Sequence, residues 1–162
     1  MKGIASAALK NLHRPDLIEH RAFLDGAWVA HDNWLSVIDP ATGEHLVDVT
    51  SCPLDDVDVA IGAAGRAFLD WRERLPVERG DILRAWSRLM RENARDLATI
   101  ITAEHGKPFA ESLGEVSYGA NFLDWFASEG ERSYGETIPS HLKGGSLSVQ
   151  MQPIGVTVAI TP

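Results

Sequence analysis

Hydrophobic and polar residues change their spacing along the chain, and the most distinctive pattern lies at its end. Residues 156–160, Val-Thr-Val-Ala-Ile, form a largely apolar, β-branched run that Gly155 precedes and Pro162 closes. A run without regular polar alternation is typical of a strand buried on both faces, as in a parallel sheet. Such a strand needs neighbours on both edges and helices above and below. We therefore expect the chain to be the front part of a larger α/β protein.

Shorter patterns near the beginning are typical of antiparallel strands. Asp25-Gly26 lies between apolar residues and predicts a hairpin turn. Residues 35–39 and 45–50 predict two further strands, with a turn between them that contains Pro and Gly. Together these segments predict a small antiparallel β unit.

Three helices are predicted next. The first begins near Pro53, where three aspartates would lie at the positive end of the helix dipole. The second opens at Pro76 and ends at Gly106, and the third begins at Pro108. Apolar residues recur at helical spacing in each helix: Val57, Ile61, Ala64, Phe68 and Trp71 in the first, Ile82, Trp86, Leu89, Met90, Leu97, Ile100 and Ile101 in the second, and Phe109, Leu113, Val116, Ala120, Leu123 and Ala127 in the third.

The third helix has more apolar residues than one packing face requires. Tyr118, Phe122, Trp125 and Phe126 lie on adjoining faces, so we expect this helix to be covered from more than one side. After it, residues 137–139 lead out in extended form, and residues 145–151 alternate as in a half-exposed strand.

The composition is that of an ordinary globular protein, with 44% hydrophobic and 23% charged residues among 162. The formal charge of −8 disfavours nucleic acid or an anionic membrane as a partner. No apolar run approaches the ~20 residues that a transmembrane helix needs. Residues 1–20 lack the apolar core of a secretory signal and predict a frayed arm; an organelle-targeting segment is the alternative.

The chemistry-bearing residues show no strong catalytic or metal-binding pattern. Cys52 is the single cysteine, which excludes an internal disulfide and fits a reducing compartment. It precedes a predicted helix and is a candidate nucleophile, but no partner His is recognisable, so a passive position is favoured. The six histidines lack metal-ligand spacing. The acidic residues at 55–58 lack the Gly and Glu of a calcium loop. We expect no metal site.

Neither the glycines nor the helical glutamates indicate a site on their own. The chain contains no dinucleotide fingerprint and no phosphate loop. Gly62 and Gly65 lie within a helical pattern and are predicted to permit close packing rather than to bind phosphate. Glu104, Glu111 and Glu115 are candidate general bases, with solvated helix faces as the favoured interpretation.

Several short segments, each modest alone, occur in a fixed order from about Phe23 to Pro162. They are Asp-Pro-Ala-Thr-Gly-Glu at 39–44, Glu-His-Gly-Lys-Pro at 104–108, Trp-Phe-Ala-Ser-Glu-Gly at 125–130, Tyr-Gly-Glu-Thr-Ile-Pro at 134–139 and Gln-Pro-Ile-Gly-Val at 152–156. In this order they resemble the N-terminal third of the NAD(P)-dependent aldehyde dehydrogenases, and within that family the succinate-semialdehyde dehydrogenase type. His105 departs from the residues usual at its place.

The resemblance implies a division of the chain. Residues 1–20 would be an arm, and residues 21–139 would be the β unit and three helices that wrap the cofactor-binding domain. Residues 140–152 would be an oligomerisation strand, and residues 153–162 the first strand of a Rossmann-like dinucleotide-binding sheet, here truncated.

The resemblance also implies site residues. Ligands of such sheets lie at the carboxyl ends of strands, which would place Ile160, Thr161 and Pro162 beside NAD or NADP; a plain strand end is the alternative. The family's nucleophilic Cys, oxyanion Asn and general-base Glu would all follow Pro162, so we expect no catalytic residue in this chain. Tyr118, Phe122 and Trp125 are expected to border the substrate entrance, with core packing as the alternative.

Taken together, the resemblance implies that the chain is the N-terminal part of a cytoplasmic enzyme that oxidises an aldehyde. The expected substrate is succinate semialdehyde, and the full-length enzyme is expected to be a homodimer or homotetramer. We expect the 162-residue chain alone to be inactive. One rival is a catalytically inactive truncated chain that acts only as an assembly module, through residues 145–151. A second is a three-helix soluble domain without a ligand.

Overall fold

The structure is a computed structural model, and it describes residues 9–161. A 3-10 turn at Pro15–Leu17 precedes the first strand. No helix in the described range combines the length and apolarity that crossing a membrane requires. The elements are β1 Ala22–Leu24, β2 Ala27–Val29, β3 Trp34–Ile38, β4 His45–Thr50, α1 Asp55–Trp71, α2 Pro76–Glu92, α3 Ala94–His105, α4 Phe109–Glu131, β5 Glu136–Ile138 and β6 Leu147–Val149.

The strands of the predicted β unit form two separate antiparallel pairs, β1 with β2 and β3 with β4. The first pair is the predicted hairpin. Asp25 and Gly26 both have positive φ, 47° and 82°, which is the backbone that matches the twist of a two-residue hairpin. The two pairs are joined by the Thr50 N–H, which donates to the His20 carbonyl at 2.8 Å. The single β unit is thus two linked hairpins.

The core lies between the β3–β4 pair and the end of α3. Leu46, Val47 and Ala103 are buried there together with Leu9. The expectation of a frayed arm is therefore wrong from Leu9 onward, because an apolar side chain near the N-terminus fills this core. Residues 1–8 lie outside the described range.

A buried carboxylate also secures the beginning of the described chain. Asp96 in α3 accepts a hydrogen bond from the Arg14 backbone N–H at 2.7 Å, and the ring of His13 lies 3.4 Å from its other oxygen. These contacts hold residues 13–14 against α3, which again distinguishes this segment from a free arm.

The second predicted helix is divided into α2 and α3 by Asn93, so the described residues form four α-helices where three were expected. Asn93 leaves helical geometry at φ −107° and ψ 17°, and its side-chain amide donates to the Leu89 carbonyl at 2.8 Å. Asn side chains compete for backbone hydrogen bonds in this way. The apolar stripe runs through the break, which is why spacing alone joined the two helices. Gly106 ends α3 as predicted, with φ 77°.

Helices α2, α3 and α4 pack together, whereas α1 buries no residue. Gly80 allows α2 to approach α4 closely, because a Cβ there would lie 3.0 Å from the Ala127 carbonyl oxygen. The stripe of α1, in contrast, remains largely exposed. Gly65 has nothing within 4 Å of a Cβ position, so the expected close packing at the α1 glycines is absent from the described chain.

The predicted strand within 145–151 is confirmed as β6, and it pairs with β5 in an exposed hairpin. The terminal run behaves differently. Residues 150–161 have no regular secondary structure, and Val158 is 75% exposed. The predicted inner strand is therefore not formed in this chain, because no other strand of the described residues lies beside it to complete its backbone hydrogen bonds.

Candidate functional site

The proposed entrance residues lie together on one face of α4. Tyr118, Phe122 and Trp125 follow at intervals of four and three, which places them on the same side of a helix. The Tyr118 and Phe122 rings meet edge to face, with centroids 4.7 Å apart. Tyr118 and Trp125 are 62% and 61% exposed. Core packing within the described chain therefore does not account for them.

The opposite face of α4 explains this exposure. Small residues and Val116 are buried there, and that face packs against α2 and α3. No further element of the described chain reaches the aromatic face. The expectation that this helix is covered from more than one side thus fails within residues 9–161.

The terminal segment meets α1 rather than a sheet. Gly155 and residues 156–157 line a wide cleft of about 540 Å³ together with Phe68 and Trp71. Gly155 has φ 107°, a conformation that glycine adopts without strain. The cleft thus lies between α1 and the beginning of the predicted strand.

The expected cofactor residues lie beyond this cleft. Ile160 is 94% exposed and Thr161 is also exposed; Pro162 lies outside the described residues. A dinucleotide site needs a sheet edge and donor groups around the phosphates. Ile160 and Thr161 by themselves do not make such a site, so their assignment to the cofactor stays a prediction.

A second group of functional side chains comes from two separate segments of the chain. His31 follows β2, Cys52 follows β4, and Asp56 lies in the first turn of α1. Their ligand-type atoms all lie within 4.8 Å of one another, and His31 Nε2 is 2.7 Å from Asp56 Oδ2. Desolvation, and then the hydrogen bond to the Asp56 carboxylate, raise the pKa of the Cys52 thiol. A thiol held protonated is a poor nucleophile, which supports the passive interpretation of this cysteine as regards catalysis.

Sequence spacing gave no sign of this group. His31 and Cys52 are 21 positions apart in the numbering, and no short motif joins them. The two hairpins and the start of α1 bring them together, so only the tertiary arrangement shows the cluster.

The candidate general bases are separate from both groups. Glu115 pairs with Lys107 at 2.9 Å, and that hydrogen bond lowers the pKa of its carboxyl. Partial burial raises the pKa of Glu104. Neither has a nucleophile among its hydrogen-bond partners in the described chain, so the favoured interpretation as helix-face carboxylates stands as a prediction.

Comparison with known proteins identifies the family of this chain. Residues 28–162 match the model of the "Aldehyde dehydrogenase family". The chain belongs to the aldehyde dehydrogenase family. The match covers β2 through the terminal segment, and it confirms the resemblance that the ordered segments indicated.

Individual aldehyde dehydrogenases are similar over nearly the whole chain. It is 44% identical over 153 residues to the 3-sulfolactaldehyde dehydrogenase of Pseudomonas putida, covering 93% of this chain and 32% of that protein. It is 46% identical over 153 residues to the succinate-semialdehyde dehydrogenase [NADP(+)] of Escherichia coli K12, with the same two coverages, 93% and 32%.

A solved aldehyde dehydrogenase structure has the same fold. The succinate-semialdehyde dehydrogenase of Burkholderia pseudomallei superposes with a TM-score of 0.79 at 43% identity, over 81% of this chain and 28% of that one. The chain thus spans about a third of the length of the relatives it matches.

Proposed function

We propose that this chain supplies the N-terminal part of an NAD(P)-dependent aldehyde dehydrogenase that oxidises succinate semialdehyde or a similar aldehyde to its acid. The observation that carries the proposal is the 44–46% identity to enzymes whose names specify succinate semialdehyde and 3-sulfolactaldehyde. Both names describe a small aldehyde with an anionic group at its other end. A substrate of this class is therefore the first to test.

The part played by this chain is structural and substrate-directing rather than chemical. Its single cysteine lies beside Asp56 with a raised pKa, which does not suit the thiolate attack on an aldehyde. The nucleophile, the general base and the oxyanion donor are expected in the sequence that would follow Pro162. The helices α2–α4 would then support the sheet that carries them.

The terminal run would become the first strand of the dinucleotide-binding sheet in that setting. Ile160, Thr161 and Pro162 would lie at its carboxyl end, where nucleotides bind in such sheets. NAD and NADP are both compatible with this role. The exposure of the run in the isolated chain agrees with a segment that is completed by strands from elsewhere.

The aromatic face of α4 is proposed to border the aldehyde entrance. The Tyr118 and Phe122 rings already contact each other, and Trp125 lies on the same face of the helix. Aromatic side chains supply a rigid apolar wall at small entropic cost. Such a wall would orient the short carbon chain of a semialdehyde.

A chimera tests the enzyme assignment. The matching N-terminal part of the E. coli succinate-semialdehyde dehydrogenase is replaced by this chain, and NADPH formation is followed with succinate semialdehyde. We expect a folded oligomer with activity. A chimera that folds and assembles but reduces no NADP+ would overturn the assignment.

The entrance proposal is tested in the same chimera. Trp125→Ala should raise KM for succinate semialdehyde with little change in kcat, because it removes an apolar side chain that contacts the substrate and no reacting group. Trp34→Ala removes a similarly exposed indole from β3 and serves as the control. Equal effects of the two substitutions would contradict the entrance role.

A second function, assembly without catalysis, has its own supporting observation. All residues of β5 and β6 are exposed, and within residues 9–161 the two strands pair only with each other, so each has a free edge to which a strand of another chain can add. Oligomerisation as a homodimer or homotetramer in the cytoplasm would use this hairpin. The test is co-purification of this chain with a full-length relative. If the two co-purify and the activity does not rise, the assembly function is favoured over a role as part of the enzyme.

A further inference from the structure

Three side chains with metal-binding atoms meet where the two hairpins adjoin the start of α1. His31 offers an imidazole nitrogen, Cys52 a sulfur and Asp56 a carboxylate oxygen, all within 4.8 Å of one another. Cys52 and Asp56 are four residues apart, where the chain passes from β4 into α1, and His31 comes from the connection after β2. We propose that His31, Cys52 and Asp56 bind Zn²⁺ or a divalent ion of similar softness, such as Co²⁺.

The ligand chemistry selects this class of ion. Thiolate and imidazole together suit zinc, whereas Mg²⁺ and Ca²⁺ prefer sets composed mainly of oxygen ligands. A tetrahedral zinc ion with its usual bond lengths holds its donor atoms roughly 3.3–3.7 Å apart. The three donors here need only a side-chain adjustment of about 1 Å to reach that spacing. A fourth position is left for water or another donor.

The two segments are already held together by hydrogen bonds that backbone N–H groups donate. The His31 N–H donates to Thr50 Oγ1 at 2.8 Å, and the Ser51 N–H donates to the Asn33 carbonyl at 2.8 Å. These bonds join the connection that carries His31 to the one that carries Cys52. Metal binding therefore requires little further ordering of the backbone, and less of the binding free energy is lost to entropy.

The position of Asp56 gives the ion a structural role. Asp56 lies in the first turn of α1, which buries no residue and is therefore weakly attached to the rest of the described chain. A metal ion shared by Asp56, His31 and Cys52 would attach the start of this helix to both hairpins. Because a structural zinc contributes its binding free energy to folding, the metal should stabilise the chain against unfolding.

The experiment exploits Cys52 as the single cysteine of the chain, since any thiol signal reports on this site alone. The tag-free 162-residue chain is alkylated with iodoacetamide with and without Zn²⁺, and Co²⁺ is added in a parallel titration. We expect Zn²⁺ to slow alkylation at least about tenfold, and Co²⁺ to produce a thiolate charge-transfer absorption at one equivalent. The same reaction in urea gives the reference for an unfolded chain, where protection should vanish.

Variants decide between this site and general chelation by histidines. His31→Gln and Asp56→Asn should weaken Co²⁺ binding about tenfold or more, since even the loss of an outer partner costs a metal site about 10- to 100-fold. Cys52→Ser should abolish the thiolate band. His45→Gln removes a histidine that pairs with Asp48 instead and should change nothing.

Three results would overturn the proposal. One is a wild-type chain without the thiolate band at equimolar Co²⁺. Another is Zn²⁺ binding of unchanged strength in Cys52→Ser, which would show adventitious binding by other histidines. The third is protection of Cys52 that persists in urea, because the site depends on folding to bring His31 to Cys52 and Asp56.

Discussion

At the scale of single residues, Gly106 shows how one position serves both local and tertiary structure. It ends α3 in the left-handed conformation, with φ 77°. A Cβ at this position would lie 2.8 Å from Pro40 Cγ, in the turn between β3 and β4. A side chain is therefore excluded twice, by backbone strain and by contact with a ring that cannot move aside easily.

Gly106→Ala should lower the free energy of unfolding by about 2–4 kcal/mol, the sum of left-handed strain and repulsion. Gly43→Ala is the control, because Gly43 also has positive φ, 74°, but open space around a Cβ. This variant should lose about 1–2 kcal/mol of the free energy of unfolding. Urea denaturation of both variants measures the difference. Equal losses would show that the contact with Pro40 does not matter.

The second residue-scale prediction concerns an exposed ion pair near the start of the described chain. Arg21 Nε donates to Glu19 Oε1 at 2.8 Å, and this side-chain hydrogen bond is the main cause that lowers the pKa of Glu19 from 4.5 to about 2. A carboxyl whose pKa is lower in the folded state stabilises that state at pH values above its ordinary pKa. That contribution is lost as the pH falls from about 4.5 through about 2.

Carboxyl NMR should give a titration midpoint near 2 for Glu19. Arg21→Gln should bring the midpoint back toward 4.5, since it removes the main cause of the shift. Arg14→Gln is the matched control, because Arg14 pairs with Asp16 instead. An unshifted Glu19 in the wild-type chain would contradict the ion pair in solution.

At the scale of elements, α4 and the terminal run show opposite outcomes of the same kind of apolar pattern. Val116 lies on the packed face of α4 and is 3% exposed, whereas Val158 is 75% exposed. A helix satisfies its own backbone hydrogen bonds, so α4 needs only a packing partner. A strand needs the backbone of a neighbouring strand as well.

Two matched substitutions test this contrast. Val116→Ala should reduce the free energy of unfolding by about 1.5–3 kcal/mol, because it empties a buried position. Val158→Ala should change it by no more than about 0.5 kcal/mol, as at exposed positions. Thermal and urea unfolding of the 162-residue chain provide both values. A loss at Val158 as large as at Val116 would show that the terminal run packs in solution.

Much of the element order could be predicted because its signals are local. Asp25-Gly26 adopts the backbone of a tight hairpin wherever it lies between two strands, and Gly106 ends a helix by its own conformational freedom. The break at Asn93 was missed because apolar spacing records one face of a helix and not its backbone hydrogen bonds. The exposure of α1 was missed because a stripe predicts that a face can be buried, not what buries it.

At the scale of the whole molecule, the chain combines one packed region with several open apolar surfaces. The β3–β4 core is buried, and α4 buries Val116 and small residues against α2 and α3. The aromatic face of α4, the stripe of α1 and the terminal run are exposed. The chain spans about a third of its relatives' length, and these surfaces are where we expect the remaining part of such an enzyme to pack.

The 162-residue chain alone should form no NADH or NADPH from succinate semialdehyde. The physical reason is that its one thiol is held protonated and that its cofactor residues are not enclosed by a sheet. The assay is absorbance at the nicotinamide band with purified chain, and the active chimera is the positive control. Aldehyde-dependent reduction of either cofactor by the chain alone would contradict this prediction.

The sequence by itself determined the family, the order of the elements, the hairpin turn at Asp25-Gly26 and the helix end at Gly106. Ordered short segments and local backbone preferences do not depend on distant contacts. Only the tertiary structure decided which apolar faces are covered, and that His31 lies beside Cys52 and Asp56. Those features depend on segments far apart in the chain, whose meeting is set by packing of whole elements rather than by any spacing along the sequence.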